Sequence, residues 1–296
     1  MVVYQKILAR WYYRLLLFLS LCFGYYITAV FTYPATFLTH EAILVLFLLC
    51  VSFLIEGCRA GRKFVNVGFI LSKDTFFEII IGTLYAVIPQ IFTIVLAAII
   101  GATIHIQSII DISSLYLAFT TMLFIAVFEE LMFRGIVFQS LYERFGSVAA
   151  SISVSLVFGI AHLLNPHISF LAITNVVLAG ILLSTMYIAT KNLWMPISFH
   201  LTWNFTLESV LNSPVSGITH NNTSLFLIDW NIVNAQYPLL FGGDFGIEGG
   251  IVTTVFLVLL IIIVIRFHSP SPYTIAHLYR RYFAEQQLLS HYIVQK

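Results

Sequence analysis

The chain has 296 residues, of which 60% are apolar and 9% charged, and its formal net charge is +1. An average soluble domain carries about 25% charged residues, so this chain lacks the polar side chains to coat a water-facing surface. A soluble globular enzyme is excluded on that ground. Disorder needs low hydrophobicity and high net charge, and a nucleic-acid partner would call for a strong basic excess. Neither is present, and the composition predicts a polytopic membrane protein.

A transmembrane helix takes about 20 mostly apolar residues. Apolar runs at 14–33, 38–56, 77–101, 114–139, 147–165, 168–189, 193–211 and 250–266 predict about eight spans. They must be helices, because lipid offers no partners for open backbone groups and no alternating barrel pattern occurs. The expected fold class is an all-α membrane helical bundle, a single membrane domain over 1–296. The first run follows Lys6, Arg10 and Arg14 and has no small-residue cleavage site before Pro34, so it reads as an uncleaved span.

Lys and Arg mark the cytoplasmic side of a membrane protein. With that span count, one side receives Lys6, Arg10, Arg59, Arg62, Lys63, Lys73, Arg144, Lys191, Arg280, Arg281 and Lys296. The opposite loops, at 34–37, 102–113, 166–167 and 212–249, hold no Lys or Arg. Both termini are therefore expected in the cytoplasm. Residues 212–249 are rich in Asn, Ser, Thr and Gly and read as an exterior loop. The loop runs into a Gly-Gly-Asp-Phe-Gly-Ile-Glu-Gly-Gly stretch at 242–250, a turn-rich approach to the last helix. The cytoplasmic tail, 267–296, places Ile275, Leu278, Tyr282 and Leu289 among basic residues, as an interfacial amphipathic helix would. Cys22 and Cys50 lie in apolar runs and read as packing residues, and no disulfide framework is readable.

Ionisable groups inside a bilayer cost about 2.5–3.5 kcal/mol each on insertion scales, so they point to function. The fourth run contains Glu129-Glu130 and Arg134. Glu130 and Arg134 are four apart and face each other on a helix, whereas Glu129 points elsewhere and has no partner in its own helix. An ion cluster snorkelling to the cytoplasm is the bland account, but two adjacent carboxylates fit it poorly. The fifth run holds Phe158 and His162, and the seventh His200 and Asn204, again four apart on one face. Singly, these polar residues could simply join helices; Glu208, one turn further on, is read as interfacial or supporting. Together the residues offer a general base, a proton carrier and two hydrogen-bond donors, a set suited to hydrolysis of an acyl bond. No Ser or Cys stands beside a His at a spacing that suggests a covalent nucleophile.

Depth is a difficulty for their convergence. At a rise of 1.5 Å per residue, Glu129 lies about 22 Å from Arg144, and His162 about as far from Ser147. His200 lies only about 14 Å from Lys191. Straight helices meet this condition if the fourth and fifth project beyond the membrane into the cytoplasm.

The ordered set Glu129-Glu130-xxx-Arg134, Phe158-xxx-His162 and His200-xxx-Asn204 resembles the EExxxR, FxxxH and HxxxN motifs of the CAAX-processing and bacteriocin-processing (CPBP, or Abi) intramembrane proteases. That family is related to the Ras-converting CAAX endopeptidase. The resemblance covers about 114–211, which would be the catalytic core. It implies an intramembrane endopeptidase in which Glu129 activates water with His162. His200 and Asn204 would stabilise the oxyanion, with Glu130 and Arg134 in support. The implied partners are a membrane-associated peptide or protein and the lipid bilayer, in a cell membrane of bacterial type.

A metal mechanism is the other account given for this family. Glu129, His162 and His200 could supply the three protein ligands of a catalytic zinc. No HExxH is present, and Arg134 adds positive charge where a cation would sit, so the reading favours no cofactor. Bacteriocin self-immunity, a non-catalytic scaffold and a proton-coupled transporter are the alternative functions. The transporter lacks visible internal repeats.

Overall fold

The computed structural model describes residues 7–8, 10–32, 37–58, 67–219 and 224–268. A helix stands at each of the predicted apolar runs. These are α1 (Trp11–Thr32), α2 (Phe37–Cys58), α3 (Lys73–Ile100), α4 (Ile112–Arg134), α5 (Ile136–Ala161), α6 (Phe170–Thr190), α7 (Trp194–Phe205) and, after the short α8 (Trp230–Gln236) and α9 (Pro238–Phe241), α10 (Ile251–Phe267). The predicted amphipathic helix in the tail lies outside the described residues.

Polar residues at the run boundaries start several of these helices. Ser72 caps α3 in a reciprocal box with Thr75. The Asp111 and Ser169 side chains accept from the backbone N–H of Ser113 and Ala172 at the starts of α4 and α6. The Asp111 carboxyl is lowered to about 2, chiefly by hydrogen bonds from the Ser113 and Ser114 side chains.

The bundle presents lipid-compatible side chains outward. Phe77, Ile88 and Ile91 of α3, Leu156 and Ile160 of α5, and Ile262 and Ile265 of α10 are exposed. Such a surface would drive aggregation in water and is the expected one in hydrocarbon. Among the described residues, Lys73–Ile100, the stretch Ile112–Ala161 and Phe170–Thr190 are long and apolar enough to cross a membrane, while Ala42–Glu56 and Ile251–Phe267 are shorter apolar helices. The fold is thus an all-α bundle of membrane type.

α7 runs through its interior, packed by α3, α4 and α6. All residues from Met195 to His200 are buried. Apolar side chains of α3, α6, α7 and α10, including Ala86, Met186, Phe199 and Leu257, form the largest core cluster.

Contacts at the two ends sort the loops as their charges do. At one end Arg14 donates to Glu143, Leu193 N donates to Gly68 O at 2.7 Å, and the Lys191 ammonium stands 4.0 Å from the Tyr142 ring centre. At the other, β1 (Ile104–Ile106) pairs antiparallel with β2 (Phe226–Ile228), Ile104 opposite Ile228. Asn165 Nδ2 donates to Ser216 O there at 3.0 Å. The described segments around 102–113, 165–167 and 212–249, all free of Lys and Arg, therefore gather together.

Residues 212–249 are more structured than their composition suggests. They carry β2, α8, α9 and two 3-10 turns, Gly243–Phe245 and Ile247–Gly249. Trp230, Val233, Phe241, Phe245 and Ile247 are buried against the bundle. Each apolar piece is too short to register as a span, yet sufficient to dock the loop.

The chain through the fourth and fifth runs is broken at two points. α4 stops at Arg134, whose Nη2 donates at 2.9 Å to the carbonyl of Gly180, halfway along α6. The chain breaks at Gly135, where a Cβ would meet Leu131 O at 2.2 Å, so only glycine fits. A second break falls at Gly146, with φ 82° and ψ 177°, a backbone that side chains disfavour. A straight rise from Arg144 to Glu129 therefore does not apply, since the Gly135 break lies between them, whereas the helix from Ser147 to Ala161 is continuous.

Candidate active site

Glu130 and Arg134 are one helical turn apart on α4 and both fully buried, with Arg134 Nη1 donating to Glu130 Oε1 at 3.1 Å. The guanidinium lies 5.1 Å from the Phe158 ring centre and 6.0 Å from that of Phe133, within cation–π range. With its bond to Gly180, Arg134 ties together α4, α5 and α6. The same Glu130 oxygen accepts from His200 Nδ1 at 3.0 Å. Helix spacing reveals the Arg134 partner and says nothing of this second one, which comes from α7.

Glu129 points away from Arg134 and retains 20% side-chain exposure. Its Oε2 is 3.7 Å from His200 Nε2, ion-pair range but too long for a direct hydrogen bond. His200 thus faces both glutamates, Glu130 through Nδ1 and Glu129 through Nε2. His162 caps the C-terminus of α5, whereas the sequence placed it within a span. Its Nδ1 lies 2.8 Å from Phe158 O, the geometry of an N–H donor to a carbonyl. That bond fixes the tautomer with an acceptor at Nε2 when the ring is neutral. The Phe158 ring sits against the imidazole at 4.6 Å. Phe158 therefore serves the FxxxH motif through its carbonyl as well as its ring.

Glu129, His162, His200 and Asn204 line one cavity of about 460 Å³ between α4, α5, α6 and α7. Met122, Met132, Val176, Leu183 and Leu257 make much of its remaining wall apolar. Glu208 lies outside that wall, buried in the π-helical turn Thr206–Val210 that follows α7.

Sequence reasoning missed one acidic residue of this cavity. Glu248, in the glycine-rich stretch, lines it from the side of the 212–249 segment. Its Oε1 accepts from Trp203 Nε1 at 2.8 Å, and its Oε2 from the backbone N–H of Ser216. Burial pushes its carboxyl up, against the hydrogen bonds from Ser216 and Trp203. A glutamate held between glycine pairs was the available signal, and it was read as turn sequence.

Among the described residues, no three His, Cys, Asp or Glu side chains are grouped as a metal ion would require. The buried Arg134 cation sits on the Glu130 carboxylate that also holds His200. The zinc set Glu129, His162 and His200 is not grouped for a metal and lies beside this positive charge.

Residues 111–206 match the family model described as "Type II CAAX prenyl endopeptidase Rce1-like". This is the segment that holds all three motifs. Over that segment the chain is similar to the Rce1-like family. A Bacillus subtilis (strain 168) protein named "Putative membrane peptidase YdiL" is 32% identical over 103 residues, 34% of this chain. The match spans 40% of that protein's length. No solved structure matches.

Proposed function

We propose that the chain is an intramembrane endopeptidase that hydrolyses a peptide bond in a membrane-associated peptide or protein, using water activated by Glu129. The observation that carries this reading is the cavity itself. A carboxylate on α4, a histidine ending α5, and a histidine and an amide on α7 share one largely apolar enclosure, with His200 Nε2 3.7 Å from Glu129 Oε2. The similarity of residues 111–206 to the Rce1-like family supports the same reaction class.

Glu129 takes a proton from water as the oxygen attacks the scissile carbonyl carbon. His162 Nε2 helps orient that water and receives or returns the proton. His200 Nδ1 donates to Glu130, so an N–H donor at Nε2 as well means the imidazolium, whose charge the Glu130 carboxylate offsets. That N–H and the Asn204 amide stabilise the tetrahedral oxyanion. Collapse of the intermediate breaks the C–N bond, and the proton held by Glu129 or His162 passes to the leaving amine. Glu130 and Arg134 hold the frame and touch no reacting atom. On this reading both termini face the cytoplasm, supported by the one-sided distribution of Lys and Arg in the sequence.

The test compares membrane peptides in cells expressing wild type or Glu129→Ala at equal level, together with cleavage of a farnesylated CAAX peptide by purified protein. A peptide processed only by wild type supports the reading. Identical peptide profiles with no cleavage by wild type, or equal cleavage by both, would overturn it.

A further inference from the structure

We infer that Glu248 is a positioning residue: it ties α7 to the exterior loop and so holds His200 and Asn204 in register with Glu129 and His162. The inference rests on the peptidase reading above and extends it to a residue outside the three motifs.

Trp203 lies between His200 and Asn204 in the chain, and its indole N–H is held by Glu248 Oε1 at 2.8 Å. The Trp203 ring stacks on Phe199 with ring centres 5.6 Å apart and planes at 20°. The backbone carbonyl of Trp203 accepts from Gln90 Nε2 of α3 at 3.0 Å. This turn of α7 is therefore gripped from two sides. It needs such a grip, because regular α-helix ends at Phe205 and the π turn Thr206–Val210 begins there. A π turn marks a local departure from the i→i+4 ladder and often accompanies functional sites.

Glu248 is itself anchored. Its backbone carbonyl accepts from Asn175 Nδ2 of α6 at 2.7 Å, and the same amide reaches Gly250 O at 2.9 Å. Asn175 Oδ1 in turn accepts from Thr254 Oγ1 of α10 at 2.7 Å. Positional constraint thus runs from α6 and α10 through Glu248 to Trp203. The second carboxylate oxygen binds the N–H of Ser216, which has φ 49°. Val215, Ser216 and Ile218 line the cavity on this side. One carboxylate therefore fixes both the helix that bears the oxyanion donors and the outer wall of the enclosure. An amide offers a single acceptor oxygen, so Gln at 248 can satisfy Trp203 or Ser216 but not both in the same way.

The experiment measures cleavage of an internally quenched farnesylated CAAX peptide by Glu248→Ala, Glu248→Gln, Trp203→Phe and the Glu248→Ala/Trp203→Phe double variant. Misplacement of catalytic groups by about 1 Å can cost about 100-fold. The expected loss is about 10- to 100-fold in kcat for each Glu248 variant, with KM within about threefold. The double variant should be no worse than Glu248→Ala, because residues acting through one contact are not additive. A second readout needs no turnover. With Cys22, Cys50 and Cys58 replaced by Ser, Val215→Cys should react with a membrane-impermeant maleimide at least about tenfold faster once Glu248→Ala or Glu248→Gln frees the wall. Trp203→Phe removes one bond only and carries the kinetic test if the Glu248 variants do not fold.

Wild-type kcat in the Glu248 variants, multiplying losses in the double variant, or unchanged labelling would each overturn the inference. Glu129→Gln separates the two levels. If it still cleaves, the peptidase mechanism fails; if it is inactive while Glu248 variants cleave and label like wild type, only the positioning role fails. If wild type does not cleave the probe, the labelling rates decide.

Discussion

Removing the Arg134 side chain should unfold the centre of the bundle before it affects chemistry. Arg134→Ala deletes the bond to Glu130 Oε1 at 3.1 Å, the bond to Gly180 O at 2.9 Å and the cation over the Phe158 ring. It leaves the Glu130 carboxylate fully buried with the His200 contact still in place, while Glu130 Oε2 lacks a hydrogen bond among the described residues. Breaking a buried pair from one side costs about 3–5 kcal/mol, which is a large fraction of the roughly 5–15 kcal/mol that holds a domain folded. At about 2–4 °C per kcal/mol, the melting temperature should fall by about 6–20 °C. Arg134→Lys keeps the charge but loses the planar fork that serves Glu130 and Gly180 together, so it should recover only part of the loss. Glu130→Gln/Arg134→Met, which removes both charges, should be less damaging than Arg134→Ala. The assay is thermal unfolding of detergent-purified protein followed by intrinsic fluorescence, with membrane abundance as a second measure. A melting temperature for Arg134→Ala within about 2 °C of wild type would mean that the pair is not the structural keystone described here.

Glu129→Gln should melt close to wild type and lose at least about 100-fold in turnover, because its contact with His200 Nε2, at 3.7 Å, is too long for a hydrogen bond while its proposed role is to activate water. Cleavage should persist after dialysis against EDTA or 1,10-phenanthroline; loss of activity that returns with added zinc would overturn the metal-free assignment. Burial lowers Lys191 to about 8, so between about pH 8 and its ordinary value near 10.4 the unfolded chain binds the extra proton. Stability should therefore rise with pH across that window, and Lys191→Met should flatten the rise; parallel wild-type and variant melting curves from pH 7.5 to 9.5 would contradict this.

The membrane bundle was legible because lipid imposes one rule on every span, and long apolar runs obey it visibly. The three motifs were legible for a related reason: a charge in an apolar run has few structural excuses. What stayed hidden was long-range. Glu130 and His200 meet across 70 residues of sequence, and no helical spacing announces such a contact. Glu248 was hidden by its setting, since a glutamate in a polar, glycine-rich loop stands out from nothing around it. Gly135 was hidden as well, because glycine is common in apolar runs and only the approach of Leu131 O shows that a side chain cannot stand there.

The mismatch in depth given by straight helices bears on the fourth run, where the break at Gly135 separates Arg144 from Glu129. Placement of the functional groups follows from the breaks rather than from straight spans. Arg134 is the last residue of α4, His162 is the cap of α5, and Asn204 stands one residue before α7 gives way to its π turn. A regular helix closes its own hydrogen bonds and keeps its groups in a fixed ladder. Where the ladder ends at α5, the Phe158 carbonyl is met by the His162 ring, and Arg134 at the end of α4 reaches the Gly180 carbonyl in the middle of α6. In a medium that supplies no water to satisfy them, those meetings cost little only if every partner is in place. The same residues that could carry out hydrolysis therefore also close the bundle around the cavity, and the folding and activity of this region should be separable only at groups such as Glu129 that face the cavity alone.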